Sequence, residues 1–169
     1  MTTIAPEGIR QPLDSGNEQW LGPAQLGRLV AAVAGAGEWR SLVQFTTGPR
    51  WYRRLELAAK YEIWLLVWLP GQHTGFHDHG EAAGAFAVAQ GELSESLARP
   101  GSRQIRHRTA GQGKVTSFGA RHLHDVGNAS AAPAVSVHAY SPPLTTMRRY
   151  EMTTSGLSLA RTDRAGPDW

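Results

Sequence analysis

The chain has 169 residues and is 41% apolar, which is enough for one domain with a buried core. No apolar run approaches the roughly 18 residues that span a membrane, and the N-terminus lacks the pattern of a signal peptide. There is no cysteine, which excludes disulfides, thiolate metal sites and cysteine nucleophiles and favours a cytoplasmic location. The net charge is +3, but the arginines are dispersed and no nucleic-acid motif accompanies them, so neither nucleic acid nor a membrane is an expected partner.

The predicted elements begin after a segment rich in proline, glycine and polar residues, residues 1–18, which we expect to be a flexible N-terminal arm. Residues 22–35 predict a helix, because Pro23 suits a first turn and Leu26 and Val30 recur at helical spacing. Glycines then predict the end of this helix.

Short apolar or alternating runs follow, most of them separated by glycine, proline or asparagine. The predicted strands are residues 41–45, 51–57, 62–69, 84–91, 93–98, 103–109, 113–118, 123–128 and 134–141. Many short strands at this spacing predict a single all-β domain over residues 19–152, a small β-barrel or jelly roll with N-terminal helices. The tail, residues 153–169, is polar and has no clear period, so we expect it to be mobile or to lie on the surface.

Two histidines stand two residues apart where a turn-rich segment leads into an apolar run, at His77 and His79. On a strand, residues i and i+2 point to the same face, so both imidazoles can bind one metal ion while Asp78 points away. Alone, this pair is a weak indication, because two histidines in a surface loop more often explain such spacing. A second pair at the same spacing, His122 and His124, strengthens the metal interpretation.

The two histidine segments together resemble the paired motifs of the cupin superfamily. The matching residues are Gly71, His77, His79 and Gly91 in the first motif and Gly113, His124 and Asn128 in the second. The resemblance implies a cupin barrel with a metal ion on His77, His79 and His124. It also has a departure: Gly84 occupies the position where the first motif carries an acidic ligand.

The missing acidic ligand affects which substrate a metal ion at this site would attract. Three neutral imidazoles leave the charge of a divalent ion uncompensated and leave about three coordination positions open, which favours an anionic, chelating substrate such as a thiolate. Imidazole binds Fe, Zn, Cu and Ni alike, so the residues do not select the metal. An open site that also binds O2 points to ferrous iron.

The run AVSVHAYSPP places Ser136, His138 and Tyr140 on one face of a strand, directly before Ser-Pro-Pro. With the histidine motifs, this run resembles the cysteine dioxygenase (thiol dioxygenase) family, and the resemblance covers about residues 39–150. It implies Fe(II) as cofactor, a small thiol and O2 as substrates, and addition of both oxygen atoms to sulfur, with L-cysteine as the expected thiol. It also implies that Ser136, His138 and Tyr140 form a hydrogen-bonded catalytic row beside the metal.

The run RWYRRLEL, residues 50–57, resembles the strand that supplies the substrate arginine in this family. Matching residue by residue places that role on Arg53, with Arg54 as the alternative if the register shifts by one. A guanidinium binds a carboxylate through two parallel hydrogen bonds, so an arginine here would favour a carboxylated thiol.

The resemblance carries further expectations. It implies a cis bond between Ser141 and Pro142, and it implies an unmodified Tyr140, because Gly84 stands where the animal members have a cysteine cross-linked to their tyrosine. The remaining histidines are expected to be structural or on the surface; they are His73, His107 and His122. His122 shares a face with His124, so a role in supporting the metal ligands is the alternative for this residue.

Other functions stay open at this point. The same residues fit a dioxygenase for another small thiol, such as 3-mercaptopropionate, mercaptosuccinate or an ergothioneine-like thioimidazole. They also fit a non-catalytic metal-binding cupin sensor or a Zn or Ni cupin isomerase, although neither needs the row formed by Ser136, His138 and Tyr140. A monomer or a small homo-oligomer is expected.

Overall fold

The computed structural model describes residues 20–164, so the predicted N-terminal arm lies outside the described residues. This part of the chain has one α-helix, α1 (Pro23–Ala36), a short 3-10 helix (Glu38–Ser41) and eleven strands. The strands are β1 (Tyr52–Leu57), β2 (Glu62–Trp68), β3 (His77–Asp78), β4 (Ala83–Gln90), β5 (Glu92–Leu97), β6 (Arg106–Gly111), β7 (Val115–Phe118), β8 (His124–Gly127), β9 (Ala134–Ser141), β10 (Thr146–Thr153) and β11 (Gly156–Arg164).

The strands form two antiparallel sheets with a core between them. One sheet has the order β1-β2-β9-β4-β7, and the other has the order β11-β10-β3-β8-β5-β6. Side chains from both sheets meet in the space between them, including Trp68 of β2, Leu93 of β5 and Val126 of β8. This is the all-β barrel that the strand pattern predicts.

Helix α1 covers the outer face of the first sheet, and this explains why β2 is buried along its whole length. Trp64 and Leu66 point between the sheets, whereas Ile63 and Leu65 pack in the cluster that contains Leu26 of the helix. A strand covered on both faces reads as a continuous apolar run rather than as an alternation. The helix ends as the sequence predicts, because Gly37 adopts a left-handed conformation with φ of 77°.

Strand β9 lies next to β2 and also has two buried faces. Val137 and Ala139 join the cluster under the helix, whereas the intervening Ser136, His138 and Tyr140 turn toward the barrel interior. Alternation along this strand therefore aligns the three polar side chains inside the barrel. The Ser141–Pro142 bond that follows is cis, as expected.

The structure differs from the sequence-based strands at several places, among them the short strand β3, which is absent from the predicted strands. Residues 41–45 are not a strand: the 3-10 helix ends there, and Leu42 and Val43 are apolar because they pack against the core under α1. Strand β10 was not predicted, since its sequence TMRRYEMT is charged. Residues 156–164 of the expected tail form β11, which pairs with β10 at the edge of the sheet and is largely exposed, so it shows no apolar pattern.

In residues 20–164, no helix is long and apolar enough to cross a membrane.

Candidate active site

Three histidines of the two motifs meet at the two middle strands of the second sheet, β3 and β8. His77 on β3 pairs directly with His124 on β8, and His79 follows β3 by one residue. All three side chains are buried, and one ring nitrogen from each lies within 4.8 Å of the others. The structure therefore brings together the residues that the sequence assigns to a metal ion.

The hydrogen bonds of these rings leave nitrogen lone pairs free. His77 donates from Nδ1 to the Gly75 carbonyl at 2.9 Å, and His124 donates from Nδ1 to Glu95 Oε1 at 2.7 Å, so Nε2 of each is unprotonated. Both ring nitrogens of His79 are buried without a hydrogen-bond partner in the described structure. A buried polar atom without a partner needs an explanation, and a divalent ion held by the three imidazoles would account for one of these two nitrogens.

The electrostatics keep these imidazoles neutral, which is the form that binds metal. Burial lowers the pKa of His77 and of His79 well below the ordinary value, and the neighbouring histidines lower it further. Burial also lowers the pKa of His124, although Glu95 acts in the opposite direction.

Asp78, between the two ligand candidates, points away from the cluster as expected. Its Oδ1 accepts hydrogen bonds from the Gly80 amide and from Arg148 Nε, both at 2.9 Å, and its Oδ2 accepts one from the Tyr150 hydroxyl at 2.8 Å. These contacts tie the turn after His79 to β10. Asp78 therefore fixes the backbone that presents the histidines.

The polar side chains of β9 form a continuous row. Ser136 Oγ lies 2.8 Å from His138 Nε2, and Tyr140 Oη lies 3.3 Å from His138 Nδ1. The Trp68 indole, which can only donate, donates to Ser136 Oγ at 2.8 Å. Since the Ser136 hydroxyl has no other acceptor among the described residues, it donates to His138 Nε2. The imidazole then carries its proton on Nδ1 and donates to Tyr140, whose own O–H is free to donate into the barrel.

The protonation states of His138 and Tyr140 agree with these hydrogen-bond directions. Burial lowers the pKa of His138 to about 3, and nearby Arg50 contributes in the same direction, so the imidazole is neutral at pH 7. Burial raises the pKa of Tyr140 above its ordinary value, and Glu62 adds to the effect, so the phenol keeps its proton. Tyr140 is therefore a hydrogen-bond donor at neutral pH.

A cavity between the sheets joins the histidine cluster to this row. It is lined by His77 and His124 on one side and by His138 and Tyr140 on another. Its apolar walls are Leu66, Val126, Leu144 and Met147. A small molecule in the cavity would therefore contact both the histidine cluster and the tyrosine.

The cavity also contains polar donors without acceptors. Arg50 lines it, stacks on Trp68 at 4.5 Å from the ring centroid, and has a buried Nε without a hydrogen-bond partner. Burial lowers the pKa of Arg50, and the described residues offer it no carboxylate as an ion-pair partner. The indole Nε1 of Trp64, another lining residue, is likewise buried and unpaired. By contrast, Arg149 reaches the cavity already bonded to Asp163 at 3.0 Å.

The structure does not place Arg53 in the cavity, although the resemblance to the family's substrate-binding strand implied that position. Arg53 pairs with Leu65, whose side chain points toward α1, so Arg53 lies on the outer face of β1 and is exposed. Arg54, the alternative, lies over the Trp64 ring at 5.3 Å and within 3.7 Å of Glu62, and does not line the cavity. The inward guanidinium is Arg50, which precedes β1.

The other histidines have different surroundings. His73 is exposed and contacts Asp125 at 3.1 Å, and His107 contacts Ser96 Oγ at 2.9 Å, as expected of surface residues. His122 is partly buried, and its Nε2 donates to Glu95 Oε1, the atom that also binds His124.

Residues 25–153 match the family model described as Cysteine dioxygenase type I. The chain belongs to this family. It is 29% identical over 131 residues to cysteine dioxygenase type 1 of Danio rerio, covering 69% of this chain and 63% of the relative. It is 30% identical over 139 residues to cysteine dioxygenase type 1 of Rattus norvegicus, covering 75% of this chain and 68% of the relative. The chain thus spans slightly less than two thirds of the Danio protein.

A solved structure supports the fold separately. A cupin superfamily protein from Desulfitobacterium hafniense superposes with a TM-score of 0.51 at 12% identity, covering 60% of this chain and 84% of that chain. Similarity at this identity shows the fold alone. The cysteine dioxygenase family member described here therefore has a cupin barrel.

Proposed function

We propose that this protein is a non-haem Fe(II) thiol dioxygenase that oxidises a small carboxylated thiol to its sulfinic acid, with L-cysteine as the first candidate. The observation that carries the proposal is one cavity that holds the histidine cluster, the donor Tyr140 and the unpaired guanidinium of Arg50. Membership of the cysteine dioxygenase family supports the same reaction. The reaction needs no further reductant, because one thiol and one O2 give one sulfinic acid.

The residues that would hold Fe(II) are His77, His79 and His124. Their neutral nitrogen donors fit ferrous iron, although they fit other divalent ions as well. A bound ferrous ion supplies the one-electron chemistry that makes O2 reactive toward a thiolate. The protein's own contribution is to hold the donors and the substrate in place.

Arg50 takes the substrate-binding role that sequence comparison assigned to Arg53. A carboxylate in the cavity would give Arg50 Nε the acceptor that it lacks, and the indole N–H of Trp64 offers a second donor. The sulfur of such a thiol would then face the histidines. This orientation places the reacting atom at the metal site and the carboxylate away from it.

Tyr140 has a distinct role in this proposal. Its phenol O–H, supported from behind by His138 and Ser136, donates a hydrogen bond toward the position of sulfur and O2. The negative charge that develops on oxygen during transfer is stabilised by such a preorganised donor. A metal-binding sensor would need no such row, so these residues favour catalysis.

The test is oxygen uptake by the iron-loaded protein with a panel of thiols at equal concentration. The panel contains cysteine, 3-mercaptopropionate, mercaptosuccinate, cysteamine and ergothioneine. We expect uptake of one O2 per thiol, with a carboxylated thiol preferred over cysteamine. Metal and thiol binding without uptake would favour the sensor alternative, and a preference for a thiol without a carboxylate would exclude the role of Arg50.

The cellular context stays a prediction. The absence of cysteine favours a cytoplasmic protein, and we propose a monomer or small homo-oligomer whose partners are the thiol and O2.

A further inference from the structure

Glu95 is a buried carboxylate next to the histidine cluster that belongs to neither histidine motif. It lies on β5 with its side chain 3% exposed. Its Oε1 accepts hydrogen bonds from His124 Nδ1 at 2.7 Å and from His122 Nε2 at 3.0 Å, and its Oε2 accepts from Arg108. Both carboxylate oxygens therefore accept hydrogen bonds, and Glu95 itself does not line the cavity.

These contacts determine the state of His124. A carboxylate accepts but does not donate, so the His124 proton stays on Nδ1 and the Nε2 lone pair stays available. The other members of the cluster lack such support, since His77 donates to a backbone carbonyl and His79 has no partner. Among the described residues, Glu95 is the carboxylate that hydrogen-bonds a histidine of the cluster.

We propose that Glu95 is a positioning residue of the metal site. It holds His124 in the ligating tautomer and supplies, through that ring, the negative charge that the absent acidic ligand at Gly84 would otherwise provide. The inference rests on the metal site of the proposed function. Arg108 binds the other carboxylate oxygen, Oε2, and His122 shares Oε1 with His124.

A glutamine amide at position 95 carries no charge and can satisfy only one of the two sides that this carboxylate satisfies. One side of residue 95 faces the donors of Arg108, and the other side faces the N–H groups of His122 and His124. An amide has one oxygen, so either Arg108 or the imidazoles would face its NH2 group. If NH2 faces His124, that ring must accept on Nδ1 and protonate Nε2, which is the tautomer that cannot bind the metal.

The experiment measures Co2+ and anaerobic Fe2+ affinity by chelator competition, independently of turnover. We expect Glu95→Gln to weaken binding by roughly 10- to 100-fold and to alter the visible absorption of the Co2+ form. The matched control is Glu81→Gln, which removes an exposed carboxylate and should change affinity less than about twofold. Wild type and His124→Ala define full and lost binding. If wild type itself does not bind metal, the proposed function fails. If wild type binds metal and Glu95→Gln binds it as tightly, only this inference fails.

A second variant separates positioning from general structural support. Arg108 is half exposed, so Arg108→Gln should fold, and it leaves Glu95 with its histidine contacts but without its cation. We expect this variant to bind metal as tightly as wild type or more tightly. A loss as large as that of Glu95→Gln would mean that the network merely supports the fold, and it would overturn the proposal. Should Glu95→Gln fail to fold, tighter metal binding by Arg108→Gln than by wild type supports the proposal, and a loss of about tenfold or more overturns it.

Discussion

A buried guanidinium without a hydrogen-bond acceptor is unfavourable until an anion binds it. Arg50 is in this state, with its Nε buried and no carboxylate partner among the described residues, while Trp68 supports the planar group from one face. Arg149 lines the same cavity, but Asp163 already neutralises it. At the scale of single residues, the affinity for a carboxylate therefore depends on Arg50.

Arg50→Ala should raise the KM for a carboxylated thiol by roughly 10- to 100-fold, the equivalent of about 1.5–3 kcal/mol for a charge-assisted hydrogen bond. The KM for cysteamine, which has no carboxylate, should change little, and this comparison corrects for general damage to the fold. Arg53→Ala tests the original assignment. A selective loss with Arg53→Ala, or equal losses for both thiols with Arg50→Ala, would show that Arg50 does not bind the carboxylate.

Tyr140→Phe should leave iron content and thiol affinity unchanged and lower kcat by roughly 10- to 100-fold. The substitution removes the O–H that donates into the cavity but keeps the ring, and one transition-state hydrogen bond accounts for about 1–3 kcal/mol. Steady-state oxygen uptake measures kcat, and metal analysis checks iron content. Unchanged turnover would remove Tyr140 from the mechanism.

At the scale of elements, close approach between strands constrains the site. Gly84 on β4 pairs with Tyr140 on β9 and with Phe118 on β7. A Cβ atom at position 84 would overlap the Phe118 ring and lie 3.0 Å from Tyr140 Cδ1. Neither a cross-link to Tyr140 nor an acidic metal ligand can occupy position 84 without moving these rings.

Gly84→Ala should therefore lower the free energy of unfolding by about 1–3 kcal/mol, because an added methyl group in a packed core forces the rings apart. Gly111→Ala is the matched control on β6, where an added Cβ atom meets nothing within 4 Å. Urea unfolding of the metal-free proteins gives both values. Equal stabilities for the two variants would show that the packing around Gly84 is looser than described.

Strand alternation explains both the success and the failure of the sequence interpretation. Ser136, His138 and Tyr140 could be placed together because two-residue spacing alone puts them on one face. The same alternation contradicts the assignment of the substrate role to Arg53, because Tyr52 faces inward and Arg53 therefore faces outward. Matching residue types along the sequence did not fix which residues of this strand face inward. Because Trp64 and Leu66 face inward, Arg54, Tyr52 and Arg50 share the inward face of this segment; alternation therefore rules out Arg53 but does not choose between Arg50 and Arg54.

Contacts between distant segments could not be derived from the sequence. Glu95 meets His124 only because β5 pairs with β8, and no local pattern marks that pairing. Likewise β11 is an exposed edge strand whose side chains have no apolar period, so its pairing with β10 leaves no signal in the sequence. Long-range pairing, rather than local preference, decided these features.

At the scale of the whole molecule, the barrel interior concentrates neutral histidines, and stability should depend on pH. The folded pKa of His138 is about 3, whereas the unfolded value is near the ordinary value of about 6.5. Below about pH 6.5 the unfolded state binds a proton that the folded state does not, so stability is full above that pH and falls as the pH decreases.

His138→Gln isolates this effect, because the other buried histidines contribute equally to both proteins. Between about pH 6 and pH 4, the stability of wild type relative to the variant should fall by about 1.4 kcal/mol per pH unit. Urea unfolding of the metal-free proteins across this range measures the difference. A constant difference would mean that His138 is not buried in its neutral form.

The proposed function requires that the enzyme add both atoms of one O2 molecule to the sulfur of one thiol. The most direct measurement is mass spectrometry of the product formed by the iron-loaded protein with the preferred thiol under isotopically labelled O2. We predict a sulfinic acid that carries two labelled oxygen atoms from the same O2 molecule. A disulfide with hydrogen peroxide, or a product with one labelled atom and one from water, would contradict a thiol dioxygenase.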